Sequence, residues 1–284
     1  MERYLIAVDM DGTLLNSQNE ITEKTLAELQ RVLDQGHVIV PASGRAPGLL
    51  PEALRTLQTI EYAITENGAF VWDFRQGTAL YQECMQENIV RRILKETEEL
   101  DCYVEVFAGG NAYAEAKTVR KLVQSNKTSL GPLFIAYMKA NHFYVSRLLE
   151  ENELLRAAEK VNVYLEYAEE GEAFRAAWKQ EAERANVAVT TSISGNIEFN
   201  AAGVNKGTAL CYLAKRLEIP KERCIAFGDN ENDLEMFEAV GTAVAMENAA
   251  HWIRERATVI APDHDRDGVA KILHEFLKKE LKNR

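Results

Sequence analysis

The stretch Tyr4-Leu-Ile-Ala-Val-Asp-Met-Asp-Gly-Thr-Leu-Leu15 decides the fold of this chain. Up to Val8 it is apolar without alternation. Such a run suits a parallel strand buried on both faces. Asp9 and Asp11 follow, then Gly12. In an open α/β sheet, ligands bind beyond the carboxyl ends of the strands, where these acids fall. Glycine lets the backbone turn sharply or approach a ligand. Two acids so placed suit Mg²⁺, a hard cation that takes oxygen ligands. An isolated Asp-x-Asp is ordinary turn chemistry. The buried run before it and the glycine after it argue for a site.

Outward from this point the text alternates. Thr22 precedes a helical pattern with Leu26, Leu29 and Leu33 on one face, closed by Gly36. His37 to Ala42 reads as a strand, Pro47 to Leu57 as a helix and Tyr62 to Thr65 as a strand. The rhythm resumes near the carboxyl end. There Lys206 to Leu217 is an amphipathic helix and Cys224 to Phe227 an apolar strand. A helix begins at Asp233, a strand covers Thr242 to Ala245, and Val269 to Lys282 is a closing helix. This is the pattern of an α/β fold with a doubly wound (Rossmann-like), mostly parallel sheet. The middle breaks it. Strand candidates at Tyr103 to Phe107, Asn111 to Glu115 and Val161 to Tyr167 stand among helical text, with Phe143 to Lys160 strongly helical. The expectation is a core of residues 1–83 and 190–284 with an inserted α+β domain at 84–189.

Composition limits the function classes. With 284 residues, 46% hydrophobic, the chain can bury a full core. Its net charge of −11 disfavours attraction to nucleic acid and to anionic membranes. No amino-terminal leader pattern and no apolar run of roughly 20 residues is found. Cys84, Cys102, Cys211 and Cys224 form no CxxC pair, as expected of free thiols in a reducing cytoplasm.

Three further motifs carry chemistry. Gly228-Asp-Asn-Glu-Asn-Asp233 follows the strand Cys224 to Phe227 and again sets acids at a strand end, where they can also cap a helix. Pro41-Ala-Ser-Gly-Arg45 offers a hydroxyl and an exposed N–H beside glycine, which suit a phosphate oxygen. Asn205-Lys-Gly207 sets a lysine at a helix start, where charge and dipole both favour an anion.

Together these motifs resemble the haloacid dehalogenase superfamily, most closely its Cof-type phosphatases, with Asp9 to Leu14, Ser43 to Arg45, Lys206-Gly207 and Gly228 to Asp233 in the family's order. Glu66-Asn-Gly-Ala69, Ala245-Met-Glu-Asn-Ala249 and Asp267-Gly-Val-Ala270 are secondary matches. The resemblance implies a phosphatase for a small phosphorylated metabolite, a sugar phosphate favoured, with Asp9 as nucleophile and Asp11 as general acid and base. It implies Mg²⁺ held by Asp9, the Asp11 carbonyl and Asp229. Phosphate is expected to meet Met10, Ser43, Gly44, Lys206 and Asn232. Asp233 is expected to orient Lys206 or a metal-bound water, and Arg45 to touch substrate or form a structural salt bridge. The insert, by the same resemblance, is a type IIB cap that sets specificity. A cytoplasmic monomer or homodimer without nucleic-acid or membrane partners is expected. A sugar phosphomutase and a non-catalytic binder of phosphorylated ligands are the alternatives. Two departures stand out. Pro41 occupies a position where the family has an apolar strand residue, so that strand is expected to end or bend early. Pro262 to Arg266 lacks the asparagine-rich loop common before Asp-Gly-Val-Ala, which alters the expected pocket rim.

Overall fold

A computed structural model describes residues 3–57, 60–118, 142–165, 168–191 and 196–282. In chain order the elements begin with β1 (Leu5–Asp9), α1 (Glu23–Asp34), β2 (Val38–Ala42), α2 (Glu52–Thr56), β3 (Tyr62–Thr65), β4 (Phe70–Asp73) and β5 (Thr78–Gln82). Then come α3 (Glu87–Thr97), β6 (Cys102–Ala108), β7 (Asn111–Glu115), β8 (Phe143–Val145), α4 (Asn152–Arg156), β9 (Ala158–Leu165), α5 (Ala168–Ala185), β10 (Val187–Thr190) and β11 (Asn196–Ala201). The last part holds α6 (Lys206–Arg216), β12 (Cys224–Gly228), α7 (Leu234–Ala239), β13 (Thr242–Met246), α8 (His251–Arg254), β14 (Val259–Ala261) and α9 (Gly268–Lys282).

The chain divides into two units. The first comprises Met1–Gly44, Leu50–Tyr81 and Asn205–Arg284, and the second Arg45–Leu49 and Gln82–Val204. The first unit is built on an eight-stranded sheet in the order β14-β13-β12-β1-β2-β3-β4-β5. Strands β14 to β3 in that order run parallel, and β4 turns back antiparallel on β3. Strand β1 lies in the middle, β2 beside it on one edge and β12 on the other. Successive residues of β1 feed two cores. Leu5 and Ala7 pack on one face and Ile6 and Val8 on the other, which is why the run is apolar throughout. Helix α1 closes the second of these cores through Leu29, Val32 and Leu33. It starts at Thr22, whose side chain accepts a hydrogen bond from the Thr25 N–H.

Strand β2 does not end early at Pro41. It runs to Ala42, fully buried, with Pro41 in register with Val8 of β1. In a parallel ladder successive N–H groups alternate between neighbours. Val38 donates to Tyr4 of the β1 side and Ser43 to Ile64 of β3. Pro41 is two residues before Ser43 and so faces β3, with which β2 pairs only at Ala42↔Ile64. The missing N–H falls where the ladder is already sparse.

The second unit holds a six-stranded sheet in the order β10-β11-β9-β6-β7-β8. All its pairs are antiparallel except β7 with β8. This corrects two readings of the sequence. Phe143 to Lys160 is not one helix: it contains strand β8, short helix α4 and the start of β9. Helix-forming residues around Leu154 and Ala158 mask a central strand, because the sheet on either side overrides local preference. The insert also runs past residue 189 to Val204, since β10 and β11 complete its sheet. Similarly, Pro47 to Leu57 holds a 3₁₀ turn at Pro47–Leu49 and only the five-residue helix α2. Tyr103, Trp178, Met85 and Met236 are buried packing residues. Tyr137 and Met138, and part of the acidic run Glu166 to Glu172, lie outside the described residues. No helix among the described residues is long and apolar enough to cross a membrane.

Candidate active site

Strand β1 delivers Asp9 at its carboxyl end and the backbone then folds over. The N–H of Leu14 donates to the carbonyls of Asp9 and Met10, and that of Leu15 to Met10. Met10 buries its side chain in the core. The turn separates the two acids: Asp9 is only 6% exposed, whereas Asp11 is open to solvent. Gly12 takes φ +83°, and a Cβ there would strike the Asp229 carboxylate. Its freedom is therefore needed both for the turn and for the approach of a second acid.

That second acid comes from the neighbouring strand. β12 pairs with β1 in parallel, Val8 opposite Phe227, so both chains leave the sheet at the same end. Asp229 follows directly and accepts a hydrogen bond from Thr13 Oγ1 at 2.8 Å. The next turn is held by Asp233, whose Oδ2 accepts from the N–H groups of Asp229 at 2.9 Å and Asn230 at 3.1 Å. Helix α7 consequently begins at Leu234, one residue after the expected start.

Helix α6 supplies the cation. Asn205 caps it, accepting from Thr208 N–H at 2.8 Å while Thr208 Oγ1 accepts from the Asn205 N–H at 3.2 Å. The side chain of Lys206 is buried completely, with Nζ 2.5 Å from Asp9 Oδ1 and 2.7 Å from Asp233 Oδ1. Gly68, at φ +98°, lets the loop after β3 rest on the Asn205 carbonyl, where any side chain would collide. Asn67 of that loop donates its N–H to the Ser43 carbonyl at 3.1 Å. Its Oδ1 accepts from Asn232 Nδ2 at 3.2 Å. Ser43, buried at the end of β2, is thereby tied to the loops after β3 and β12.

The charges do not balance. Asp9, Asp229 and Asp233 bring carboxylate oxygens within 4.8 Å of one another, against the single ammonium of Lys206. Burial, then the charge of Asp233, pushes the Asp9 carboxyl well above the usual range, although Lys206 opposes the shift. Burial and Asp233 likewise lift Asp229 to about 7. Burial alone would lower the Lys206 ammonium, but Asp233 and Asp9 outweigh it and hold the group above its ordinary value. An added divalent cation would supply the missing positive charge. The donor set fits one. Both Asp233 oxygens are already occupied, while Asp9 Oδ2 and Asp229 Oδ2 accept no hydrogen bond among the described residues. Asp9 and Asp229 thus each keep an oxygen that could take a metal, while the Asp233 oxygens are engaged by Lys206 and by the N–H groups of Asp229 and Asn230.

The structure therefore gathers Asp9, Lys206, Asp229 and Asp233 in one buried cluster and ties Ser43 and Asn232 together through Asn67. Arg45 stands outside this cluster, in a segment grouped with the second unit. Two residues unassigned by sequence reasoning brace the Asp9 loop. Asn248 Nδ2 donates to the Gly12 carbonyl at 2.8 Å, and His264 Nδ1 lies 2.7 Å from the Leu15 carbonyl. The segment Pro262 to Arg266 forms a 3₁₀ turn at His264–Arg266, and Asp265 accepts from both Ser17 N–H and Oγ. Its departure from the family pattern thus leaves it bound to the Asp9 loop. The match at Ala245 to Ala249 was the signal for Asn248, whereas His264 carried none.

Residues 6–273 match the family model of haloacid dehalogenase-like hydrolases. The chain belongs to that family. This hydrolase falls in its Cof-type branch and is a phosphatase. It is 29% identical to phosphatase YwpJ of Bacillus subtilis, over 96% of this chain and 99% of the relative. It is 28% identical to the B. subtilis 5-amino-6-(5-phospho-D-ribitylamino)uracil phosphatase YcsE, over 96% of this chain and 95% of that one. A solved haloacid dehalogenase-like hydrolase from B. subtilis superposes with a TM-score of 0.80 at 27% identity, covering 95% of this chain and 99% of the other. Family members typically use a divalent metal, in keeping with the acidic cluster.

Proposed function

We propose that this hydrolase cleaves a small phosphomonoester, a sugar or sugar-alcohol phosphate foremost, through an aspartyl-phosphate on Asp9. The observation that carries this reading is the buried Lys206 ammonium bound at once to Asp9 and Asp233, with Asp229 alongside. Lysine so placed fixes the Asp9 carboxylate and offsets negative charge on an incoming phosphoryl group. The Asp9 carboxylate attacks phosphorus, and the bond from phosphorus to the leaving oxygen breaks. Asp11, open to solvent at the strand end, gives its proton to that oxygen. It then takes a proton from the water that cleaves the acyl-phosphate, which frees inorganic phosphate and restores Asp9.

The Asp9 and Asp229 carboxylates and the Asp11 carbonyl would hold Mg²⁺, which would supply the positive charge that lets a carboxylate approach a phosphate dianion. Ser43, Asn232 and the N–H groups of Met10 and Gly44 hydrogen-bond the phosphoryl oxygens. Many small contributions suit phosphoryl transfer, which depends on positioning and charge stabilisation more than on covalent chemistry. The insertion serves as the cap that receives the organic part of the ester, with Arg45 available to the substrate. The protein acts in the cytoplasm on a free metabolite.

The test is phosphate release from a panel of sugar phosphates, nucleotides and an aryl phosphate, with Mg²⁺ and with EDTA. The relative that acts on a ribitylamino-uracil phosphate adds that ester to the panel. Metal-dependent release is expected. Formation of an isomeric sugar phosphate without release would identify a mutase, and tight binding without turnover a binding protein.

A further inference from the structure

Asp11 stands at the exposed apex of the turn that follows β1. Its neighbour Gly12, at φ +83°, gives that apex backbone freedom rather than stiffness. The far end of the turn is anchored, because Thr13, Leu14 and Leu15 are buried and the Leu14 and Leu15 N–H groups bond back to Asp9 and Met10. A proton donor needs more than an anchored base. A misplacement of about 1 Å can cost about 10²-fold in rate.

Two side chains from the carboxyl-terminal part of the first unit close on this turn, and they are bonded to each other. Asn248 Nδ2 donates to the Gly12 carbonyl, and Asn248 Oδ1 accepts from the His264 N–H at 3.2 Å. The His264 ring then turns back, with Nδ1 2.7 Å from the Leu15 carbonyl. Leu15 pairs with Asp11 as an isolated parallel bridge, which completes a circuit around the apex. A carbonyl oxygen only accepts, so His264 Nδ1 carries the hydrogen. It does so in the imidazolium and in one neutral tautomer, and the contact therefore survives a change of charge. The His264 side chain is only 17% exposed, so water competes little for the bond. Asp265 fixes the loop that carries it, accepting from the N–H of Ser17 at 2.7 Å and its Oγ at 2.6 Å. The Asp265 N–H donates in turn to Asp263 Oδ1 at 2.9 Å.

We propose that His264 is a positioning residue for the proton donor: together with Asn248 it clasps the turn and sets where Asp11 stands. The proposal rests on the reading of Asp11 as general acid. It makes a prediction that a merely stabilising contact does not. A loop contact that only helped the fold would weaken activity on every ester alike. A clasp that places the acid matters where the leaving oxygen needs a proton. An alkoxide needs one to depart, whereas a nitrophenolate leaves without it.

The experiment compares kcat/KM for ribitol phosphate and for 4-nitrophenyl phosphate, with Mg²⁺, in the full chain and its variants. This ratio covers the steps up to loss of the leaving group, so the later work of Asp11 as base does not enter. His264→Phe keeps the ring and deletes the donor. It should lower the value for ribitol phosphate about 30-fold and that for the aryl ester less than about threefold. His264→Asn places an amide N–H at the same position along the side chain and should restore both to within about threefold of wild type. Asn248→Ala, which removes the other arm, should shift the ratio in the same direction as His264→Phe. Asp11→Asn gives the reference, a larger loss with the same preference for the aryl ester. Equal losses on both esters in His264→Phe, or no rescue by His264→Asn, would overturn the proposal while Asp11→Asn still upheld the acid. If no ester is hydrolysed, or Asp11→Asn does not discriminate between them, the reading of Asp11 fails. The clasp is then judged alone by amide hydrogen exchange at Leu14 and Leu15 in EDTA. Exchange about tenfold faster in His264→Phe but not in His264→Asn would uphold it, and unchanged exchange would refute it.

Discussion

Two buried charged regions in this molecule are built in opposite ways. The cluster around Lys206 gathers three carboxylates and one ammonium at the ends of parallel strands, with Asp233 fully hydrogen-bonded and Lys206 bound on two sides. The polar face of the second sheet spreads its charges along antiparallel rungs, pairing Lys160 with Glu198 and His142 with Glu105. A cluster short of positive charge, with one oxygen each of Asp9 and Asp229 accepting no hydrogen bond among the described residues, suits a bound cation.

The sharpest way to break this contrast is to remove each lysine. Lys206→Met should reduce phosphate release on the order of 10³-fold or more, because Asp9 loses the ammonium that holds it. Lys160→Met removes the buried ammonium beside Glu198 and should destabilise the protein by about 3 kcal/mol in urea unfolding. It should still permit turnover. Equal loss of turnover in both would erase the distinction. Gly12→Ala comes next. The new methyl displaces the Asp229 carboxylate, and a fall of about 10²-fold in kcat/KM with weaker Mg²⁺ binding is expected.

Charge imbalance also has a pH signature. With Asp229 lifted to about 7 and Asp9 raised as well, the metal-free folded protein holds more protons than the unfolded chain between about pH 5 and pH 7. Its stability therefore falls as pH rises through that window. The surface carboxyls lowered by their partners, such as Asp265 and Asp267, are ionised in both states there. Thermal unfolding in EDTA should show a declining Tm, and saturating Mg²⁺ should remove the decline. A rising Tm in EDTA would mean the cluster is not short of positive charge. The smallest effect is expected for Asn248→Ala, which deletes the hydrogen bond to Gly12 and should cost about 1 kcal/mol.

The two regions also differ in how they are written in the chain. Asp9-Met-Asp-Gly12 and Gly228 to Asp233 are contiguous, because a strand end followed by a tight turn puts neighbouring residues in one place. Lys206 and Ser43 announce themselves through the glycines beside them. The braces from Asn67, Asn248 and His264 come from distant loops and are set by tertiary approach. The polar face was illegible for a different reason. Its residues alternate with apolar ones along three strands, and β9 begins inside a stretch whose composition favours a helix. Only strand pairing brings Glu105, Asn162 and Glu198 together. The parallel core, by contrast, was readable from its unbroken apolar runs, apart from the β4–β5 edge, the short β14 and the persistence of β2 through Pro41.

The central claim is that Asp9 carries the phosphoryl group. It is tested most directly by mixing the Asp11→Asn protein with a radiolabelled phosphate ester and Mg²⁺, quenching in acid and mapping the labelled peptide. Asp11→Asn is expected to slow hydrolysis of the intermediate and let label accumulate on the peptide that contains Asp9, with none in an Asp9→Asn, Asp11→Asn control. Label on another residue, or phosphate release that persists in Asp9→Asn alone, would contradict the account.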